Sequence, residues 1–147
     1  MAVNGFQHKQ RQQFVRKAMM PRLKIRGEFT RAASSGTHAS AVGLVLQAYR
    51  RNELGPARIG FTTSKKVGNA VRRNRARRRL RALADSVLSP LAKSGYDYVL
   101  IGRSTTVDRN YDDLIHDLEA ALSRVHSGRG KRRNRGHSPT ADVIDDA

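Results

Sequence analysis

The chain has 147 residues, of which 29 are Lys or Arg and 12 are Asp or Glu, so its formal net charge is +17. At this length we expect one domain with a single modest core. The sequence contains no cysteine, which excludes disulfides and thiolate sites, and no stretch approaches the roughly 20 apolar residues of a membrane span. The charge is typical of proteins that bind nucleic acid phosphates, and we expect a cytoplasmic protein with no membrane partner.

The N-terminal part of the chain contains a polar extension and three predicted elements. Residues 1–20 are rich in Gln and basic side chains and predict a flexible extension. Pro21 is expected to open a short helix that ends near Ala33. Residues 44–49 and 58–63 are β-favouring runs separated by a turn-rich segment, and they predict a β-hairpin.

A strongly basic segment follows the second β run, with seven arginines among residues 72–81. Its apolar residues have helical spacing and predict one buried stripe: Ala76, Leu80, Leu83 and Val87. Like charges one turn apart destabilise an isolated helix by roughly 0.2–0.5 kcal/mol per pair. The sequence therefore predicts an amphipathic helix whose exposed face binds a polyanion.

The C-terminal half begins with a nearly continuous apolar run at residues 97–102, which predicts an interior strand covered on both faces. From Tyr111 to Val125 an apolar stripe, with acidic residues early and basic residues late, predicts the last helix. Residues 127–147 are first basic and then acidic, with few apolar side chains, and predict a disordered tail. The folded domain is therefore expected at residues 21–126.

The basic segment and its flanks resemble the protein component of bacterial ribonuclease P. The resemblance is carried by the ordered string Ser64-Lys65-Lys66-Val67-Gly68, then Asn69-Ala70-Val71, then Arg73-Asn74-Arg75 on a basic helix, with Arg58-Ile59-Gly60-Phe61 before it, Asp97-Tyr98-Val99-Leu100-Ile101 after it, and Phe29. It implies an α/β sandwich with a mixed sheet of about four strands and about three helices, in the order α-β-β(-β)-α-β-α. It also implies a left-handed β-α-β crossover, where the general rule predicts a right-handed one.

The resemblance further implies a subunit that binds a large catalytic RNA and assists removal of the 5′ leader from precursor tRNA. The RNA, with bound Mg²⁺, would carry out the chemistry. The residues agree with this division, because no carboxylates or histidines converge as a hydrolytic site would require. His116 lies between Asp113 and Asp117 but on the polar side of its helix. No phosphate-binding glycine loop is present, so we expect no catalytic residue, metal site or nucleotide cofactor in the protein.

The resemblance implies two RNA-binding surfaces, the first of which contacts the catalytic RNA. Arginine suits this surface because its planar fork can bridge phosphates. The expected residues are Lys65, Lys66, Asn69, Arg73, Asn74, Arg75, Arg77, Arg78 and Arg81. For Asn74 a hydrogen-bonding role is expected, with a solvated surface residue as the alternative. Arg72 and Arg79 flank the apolar stripe, and RNA contact and a structural role both stay open for them.

The second implied surface is a cleft for the single-stranded leader, where aromatic rings would stack on unpaired bases. The expected residues are Phe29, Gln47, Tyr49 and Phe61. The sequence departs from the family at two places: Ala33 stands where many members have an aromatic residue, and Gln47 stands where Tyr is frequent. Tyr49 shares the face of Gln47 and can compensate, whereas Phe61 can equally belong to the core.

Two other classes of protein remain open from composition. A ribosomal or other structural RNA-binding protein would have the same charge and the same basic tails. A DNA-binding regulator would place the arginine helix in a major groove, but it would need a helix-turn-helix pair or a dimer interface, and neither is apparent. The ordered string from Ser64 to Arg81 favours the ribonuclease P resemblance over both.

Overall fold

The computed structural model describes residues 20–128 and 130–132. In these residues the elements, in chain order, are α1 (Arg26–Ser35), β1 (Thr37–Ser40), β2 (Leu44–Arg50), β3 (Arg58–Thr62), α2 (Ala70–Leu83), β4 (Tyr96–Gly102), α3 (Ser104–Asp108), α4 (Tyr111–His126) and β5 (Lys131–Arg132). A single 3-10 turn, Lys65–Val67, precedes α2, and a π-helical segment, Ala84–Leu88, continues it to a last turn at Ser89–Leu91. The predicted mixed α/β fold is confirmed.

The sheet has the strand order β3-β4-β2-β1-β5. β3 pairs with β4 in parallel, and the other neighbours are antiparallel. The predicted hairpin between β2 and β3 is therefore wrong, because β4 lies between them and pairs with both. The turn residues after β2 show that the chain reverses there, but they do not determine which strands pair. β4 is apolar on both faces, which is typical of an interior strand, and an interior strand has a neighbouring strand at each edge. The parallel pairing across α2 agrees with the implied β-α-β crossover, whose left hand stays a prediction.

Helices cover both faces of the sheet and create two cores. On one face α2 and α4 enclose the larger core, which includes Leu46, Leu100 and Leu118. On the other face α1 covers a smaller cluster built on Leu23, Ala32 and Val99. The predicted stripe of the arginine helix is confirmed, since its four residues are 0 to 9% exposed: Ala76, Leu80, Leu83 and Val87.

The first helix begins at Arg26, so the prediction that it opens at Pro21 is wrong. Residues 21–23 are extended along the free edge of β3: the N–H of Leu23 donates to the Ile59 carbonyl at 2.9 Å, and the N–H of Ile59 donates to the Pro21 carbonyl at 2.9 Å. Backbone groups on an open sheet edge need partners, and this pairing competes with an early helix start. α1 then begins where the Ile25 N–H donates to the Glu28 side chain at 3.2 Å.

Three elements were not located in the sequence: β1, α3 and β5. α3 is a five-residue helix after β4, and β5 pairs Lys131 with His38 and Arg132 with Thr37. Residues 131–132 belong to the tail predicted to be disordered, so that part of the prediction is wrong. The remaining tail, 133–147, and residues 1–19 lie outside the described residues. In the part that is described, no helix is long and apolar enough to cross a membrane.

Candidate RNA interface

The start of the arginine helix is fixed by local capping. The N–H of Lys66 donates to Ser64 Oγ at 3.2 Å, and the N–H of Arg72 donates to Asn69 Oδ1 at 3.0 Å. Gly68 has φ +138°, a conformation that favours glycine. The helix N-terminus carries positive partial charge, yet the first turn contains Arg72 and no acidic residue. The arrangement therefore concentrates positive potential at this end of α2.

The residues predicted to contact the catalytic RNA form one surface on α2 and the turn before it. Seven of them are exposed: Lys65, Lys66, Asn69, Asn74, Arg75, Arg78 and Arg81. Arg73 and Arg77 are half-buried, and Arg77 donates to Thr63 Oγ1 at 3.0 Å. Among the described residues, no acidic side chain forms a salt bridge with any of the five arginines in the predicted set. Their charge is thus available to an external anion.

Arg72 and Arg79 both make structural contacts within the fold, and RNA contact stays open for them. Arg79 donates to the carbonyl oxygens of Thr106, Val107 and Arg109 at 2.9, 2.6 and 2.6 Å, and so ties α2 to the end of α3. Arg72 pairs with the Asp108 carboxylate at 3.0 Å. Since α3 was not predicted, these acceptors were not visible in the sequence.

The four residues predicted for the leader do not lie on one face of the sheet. Phe29 and Tyr49 pack in the cluster under α1, whereas Phe61 packs against the larger core on the opposite face of the sheet. Gln47 lies on the α1 face but is only 3% exposed. Strand alternation thus places Phe61 on the other face of the sheet, and α1 covers Gln47. Leader contact stays a prediction for all four residues.

Phe29 and Tyr49 are positioned by specific neighbours. A Cβ built on Gly60 would lie 2.5 Å from Phe29 Cε1, so the absence of a side chain there makes room for the ring. The guanidinium of Arg31 lies 4.8 Å from the centroid of the Tyr49 ring, within cation–π range. Both rings are half-buried, which leaves part of each accessible along α1.

A cavity of about 470 Å³ opens beside the edge of β3 that pairs with residues 21–23, between the start of α1 and α2. All five charged side chains that line it are cationic: Arg22, Lys24, Arg26, Arg77 and Arg81. Its apolar lining includes Phe29 and Phe61, and the guanidinium of Arg22 lies 5.3 Å from the Phe61 centroid. Phe61 thus reaches the same cavity as Phe29 around the edge of β3, even though the two rings lie on opposite faces.

Sequence reasoning missed three of these cations, although the pattern contained a signal. In the run Arg22-Leu23-Lys24-Ile25-Arg26 basic and apolar residues alternate. This period of two indicates an extended segment rather than a helix. The interpretation of Pro21 as a helix start hid that signal.

Asp97 organises the cationic side chains beside this face. It is 0% exposed and accepts hydrogen bonds from Arg58 Nε at 2.8 Å and Arg51 Nη1 at 2.5 Å, with Arg31 Nη2 at 3.4 Å. Burial alone would raise the pKa of Asp97, but the hydrogen bonds from Arg58 and Arg51 outweigh it and the pKa is lowered. Arg58 also pairs with Glu28 of α1. The carboxylate therefore stays ionised and helps to fix Arg31 over Tyr49.

In residues 20–128 and 130–132, no group of three or more acidic or histidine side chains is arranged to hold a metal ion. His116 is exposed on α4. The sequence-based expectation that the protein contains no catalytic or metal site stays a prediction.

The fold and the surface define a class: a small α/β protein with an exposed arginine-rich helix, the kind of surface that suits nucleic acid phosphates. The family model described as Ribonuclease P matches residues 19–126. The chain is 48% identical over 112 residues to the ribonuclease P protein component of Paramagnetospirillum magneticum, covering 74% of this chain and 84% of the relative. It is 50% identical over 104 residues to that of Gluconacetobacter diazotrophicus, covering 71% and 90%.

Solved structures agree with these relatives. The RNase P protein of Staphylococcus aureus is 26% identical with a TM-score of 0.59, over 69% of this chain and 92% of that one. The protein from Thermotoga maritima shares the fold, with a TM-score of 0.60 at 22% identity over 71% and 96%. The chain belongs to the ribonuclease P protein family, the protein subunits of the enzyme that matures tRNA 5′ ends. The ribosomal alternative is not favoured.

Proposed function

We propose that this subunit binds the catalytic RNA through α2 and the 5′ leader of precursor tRNA through the cavity at the β3 edge. One observation carries the proposal: the basic face of α2 extends to the aromatic cavity, where Arg77 and Arg81 line the wall and form no salt bridge with an acidic side chain of the described residues. A folded RNA on α2 and a single strand in the cavity would then be adjacent. The compartment in which this takes place is proposed to be the cytoplasm.

The α2 surface suits a structured RNA. Arg75 and Arg78 are exposed on a helix whose other face is buried, so their guanidinium groups can contact phosphates without local unfolding. Each phosphate that the protein neutralises releases condensed counterions. A plot of the logarithm of the binding constant against the logarithm of the salt concentration therefore falls with a slope of about 0.9 for each phosphate contacted in a duplex. Replacing Arg75 and Arg78 by Ala should lower the salt slope of RNA binding by about 1.8 and leave the fold intact.

The cavity suits a single strand. Phe29 and Phe61 present ring surface for bases, and stacking contributes roughly 1–3 kcal/mol per base without sequence preference. The surrounding cations, including Arg22 and Lys24, would contact the backbone. Tyr49, with Arg31 over its ring, continues the stacking surface along α1.

The hydrolysis itself is proposed to belong to the RNA subunit. Divalent ions serve phosphodiester hydrolysis by stabilising charge on the phosphoryl oxygens and by activating water. A surface crowded with arginines repels divalent cations, so the Mg²⁺ ions would be held mainly by RNA phosphates. The role proposed for the protein is to neutralise those phosphates elsewhere and to hold the leader, which would lower the Mg²⁺ concentration that the holoenzyme needs.

A reconstitution experiment tests this division of labour. Cleavage of a 5′-labelled precursor tRNA is measured at low Mg²⁺ with the protein alone, the catalytic RNA alone and both together. We expect efficient cleavage only in the mixture, with the RNA alone recovering at high Mg²⁺. Cleavage by the protein alone, or a mixture no better than the RNA, would contradict the proposal.

A further inference from the structure

A second cavity, of about 590 Å³, opens at the end of the sheet where β2 ends and β4 begins. Its volume is within the usual range of ligand sites in proteins. The end of α1, the start of β1 and the end of α4 contribute to its walls, and none of the described residues that line it is acidic. It is separate from the cavity at the β3 edge, because the two have no lining residue in common.

Aromatic rings form one wall of this cavity. Tyr96 stacks on Tyr98 with a centroid distance of 5.7 Å and an interplanar angle of 19°, and His126 contacts both rings edge to face at 5.9 Å. Tyr98 is 0% exposed, whereas Tyr96 is half-buried and lines the cavity. A base placed on Tyr96 would therefore extend this stack of rings beyond the start of β4.

Hydrogen bonds hold these rings in position. The Tyr98 hydroxyl accepts the N–H of Lys93 at 3.0 Å and lies 2.7 Å from His126 Nε2. Burial raises the pKa of Tyr98 to about 12, so the hydroxyl keeps its proton, and a buried hydroxyl proton needs an acceptor. Since burial also lowers the pKa of His126, that ring is neutral at neutral pH and its Nε2 can be the acceptor. The aromatic wall is thus preformed, which reduces the entropy lost when a ligand binds.

Arg50 supplies a cation beside the outer ring. It is the last residue of β2 and lies directly opposite Tyr96 in the antiparallel register, so the two side chains share a face of the sheet with their Cβ atoms about 4.5–5.5 Å apart. Arg50 is exposed and forms no salt bridge with an acidic side chain of the described residues. A nucleotide whose base lies on Tyr96 would therefore have a guanidinium close to its phosphate.

Tyr49 connects this cavity with the α1 face of the sheet. It lines the cavity, and the guanidinium of Arg31 lies over its ring. From Gly60, which lies under Phe29, to Tyr49 the register crosses two strand spacings and two residues, about 10 Å across the sheet and about 7 Å along it. A single strand that passes from Phe29 to Tyr49 would thus reach this cavity next.

We propose that this cavity binds an unpaired nucleotide of the precursor leader, more distal than those at the β3 edge, with its base on Tyr96 and its phosphate at Arg50. The inference rests on the proposed leader-binding function and extends it to the α4 face of the sheet. Stacking on a ring and a phosphate contact are both independent of base identity. The site would therefore accept any leader sequence.

The test uses the holoenzyme, reconstituted with its catalytic RNA, and one precursor tRNA with a leader of either about two or about ten nucleotides, lengths below and within the usual range of a single-strand site. Arg50→Ala removes the cation. Tyr96→Leu keeps apolar bulk but cannot stack, whereas Tyr96→Phe keeps the ring. The control, Arg103→Ala, removes an exposed charge just after the opposite end of β4.

For the long leader, we expect Tyr96→Leu to lower affinity about 5- to 150-fold, the range for loss of one stacked base, and Tyr96→Phe to match the wild type. Arg50→Ala should lower affinity about threefold and the salt slope by about 0.7, as expected for one single-strand phosphate contact. Affinity for the short leader and assembly with the catalytic RNA should be unchanged in all three variants. Arg103→Ala should affect the two leader lengths equally.

Two results would overturn the inference. A loss in only one of Tyr96→Leu and Arg50→Ala would contradict a site in which both side chains hold the same nucleotide. Equal loss for both leader lengths, or weaker assembly, would assign the cavity to the catalytic RNA instead. Because Tyr96 packs against the larger core, the surface variant Arg50→Ala decides the outcome if Tyr96→Leu fails to fold.

Failure of the inference can be told apart from failure of the proposed function. If the wild-type holoenzyme prefers precursor to mature tRNA, and Arg50→Ala and Tyr96→Leu bind the long leader as the wild type does, only the role of this cavity is wrong. If the wild type binds precursor and mature tRNA equally, leader binding is wrong as a whole.

Discussion

Asp97 provides the sharpest test of how the structure is held together. Asp97→Asn removes the charge that compensates Arg51 and Arg58 while keeping the size of the side chain. The Arg51 side chain is 8% exposed and that of Asp97 is 0% exposed, so an uncompensated buried charge would remain. Breaking such a pair costs about 3–5 kcal/mol, a large share of the roughly 5–15 kcal/mol total of a domain. Arg31 is 43% exposed, and its pair with Asp97 adds little.

The pH dependence gives this prediction a second readout. Because the pKa of Asp97 is lowered in the folded state, its stabilisation is fully present above the ordinary Asp pKa of about 3.9. It is lost as the pH falls through the lower folded value. The wild type should therefore lose free energy of unfolding below about pH 4, and Asp97→Asn should lose less there.

Urea denaturation measures both effects. The control is Asp85→Asn, since Asp85 is exposed and surface substitutions usually change stability by about 0.5 kcal/mol or less. A loss of less than about 1 kcal/mol in Asp97→Asn at neutral pH would refute the reasoning, because a compensated buried charge cannot be removed so cheaply.

Three further predictions concern packing, adjacent arginines and a histidine. Gly60→Ala should displace the Phe29 ring, which lies 2.5 Å from the added Cβ, and so weaken precursor binding without weakening assembly with the catalytic RNA. Gel-shift titrations measure precursor binding and assembly, and an equal effect on the two would contradict this prediction. Arg79→Ala should lower the free energy of unfolding by about 1.5–3 kcal/mol, because it removes charged hydrogen bonds. Substitution of the adjacent, exposed residue, Arg78→Ala, should weaken RNA binding and change stability by no more than about 0.5 kcal/mol. The reverse pattern would show that the two residues have each other's role. Burial, with a smaller effect of Lys93, lowers the pKa of His126. The contribution of this residue to stability is therefore complete above its ordinary pKa of about 6.5 and declines as the pH falls below that value. His126→Gln should flatten this part of the plot of stability against pH, and an unchanged plot would show that His126 is not its cause.

The parts of the fold that follow from periodicity could be predicted from the sequence. The stripe from Ala76 to Val87 and the last helix carry strong 3.6-residue patterns, and burial on one face dictates such patterns directly. The arginine surface could be predicted from the same helical pattern, because side chains opposite a buried stripe must be exposed. The motif from Ser64 to Arg81 also has local causes, since Ser64, Gly68 and Asn69 make the caps that start the helix.

The failures concern long-range pairing, which local sequence does not encode. β2 and β3 were predicted to pair because a turn separates them, but their common partner β4 is about 50 residues from β2. Residues 21–23 joined the edge of β3 instead of a helix, and β5 joined β1 from a segment of disordered composition. The separation of Phe61 from Tyr49 by the sheet likewise depends on register.

The central claim is that the cavity at the β3 edge binds the leader, and the affinities of the holoenzyme for precursor and mature tRNA test it most directly. The variants are Phe29→Ala and Phe29→Leu, of which the second keeps apolar bulk against Gly60 but cannot stack. If one base stacks on Phe29, both variants should lose about 5- to 150-fold in affinity for the precursor, and affinity for mature tRNA should be unchanged. Equal loss for both tRNAs, or full precursor affinity in Phe29→Leu, would contradict leader binding at this cavity.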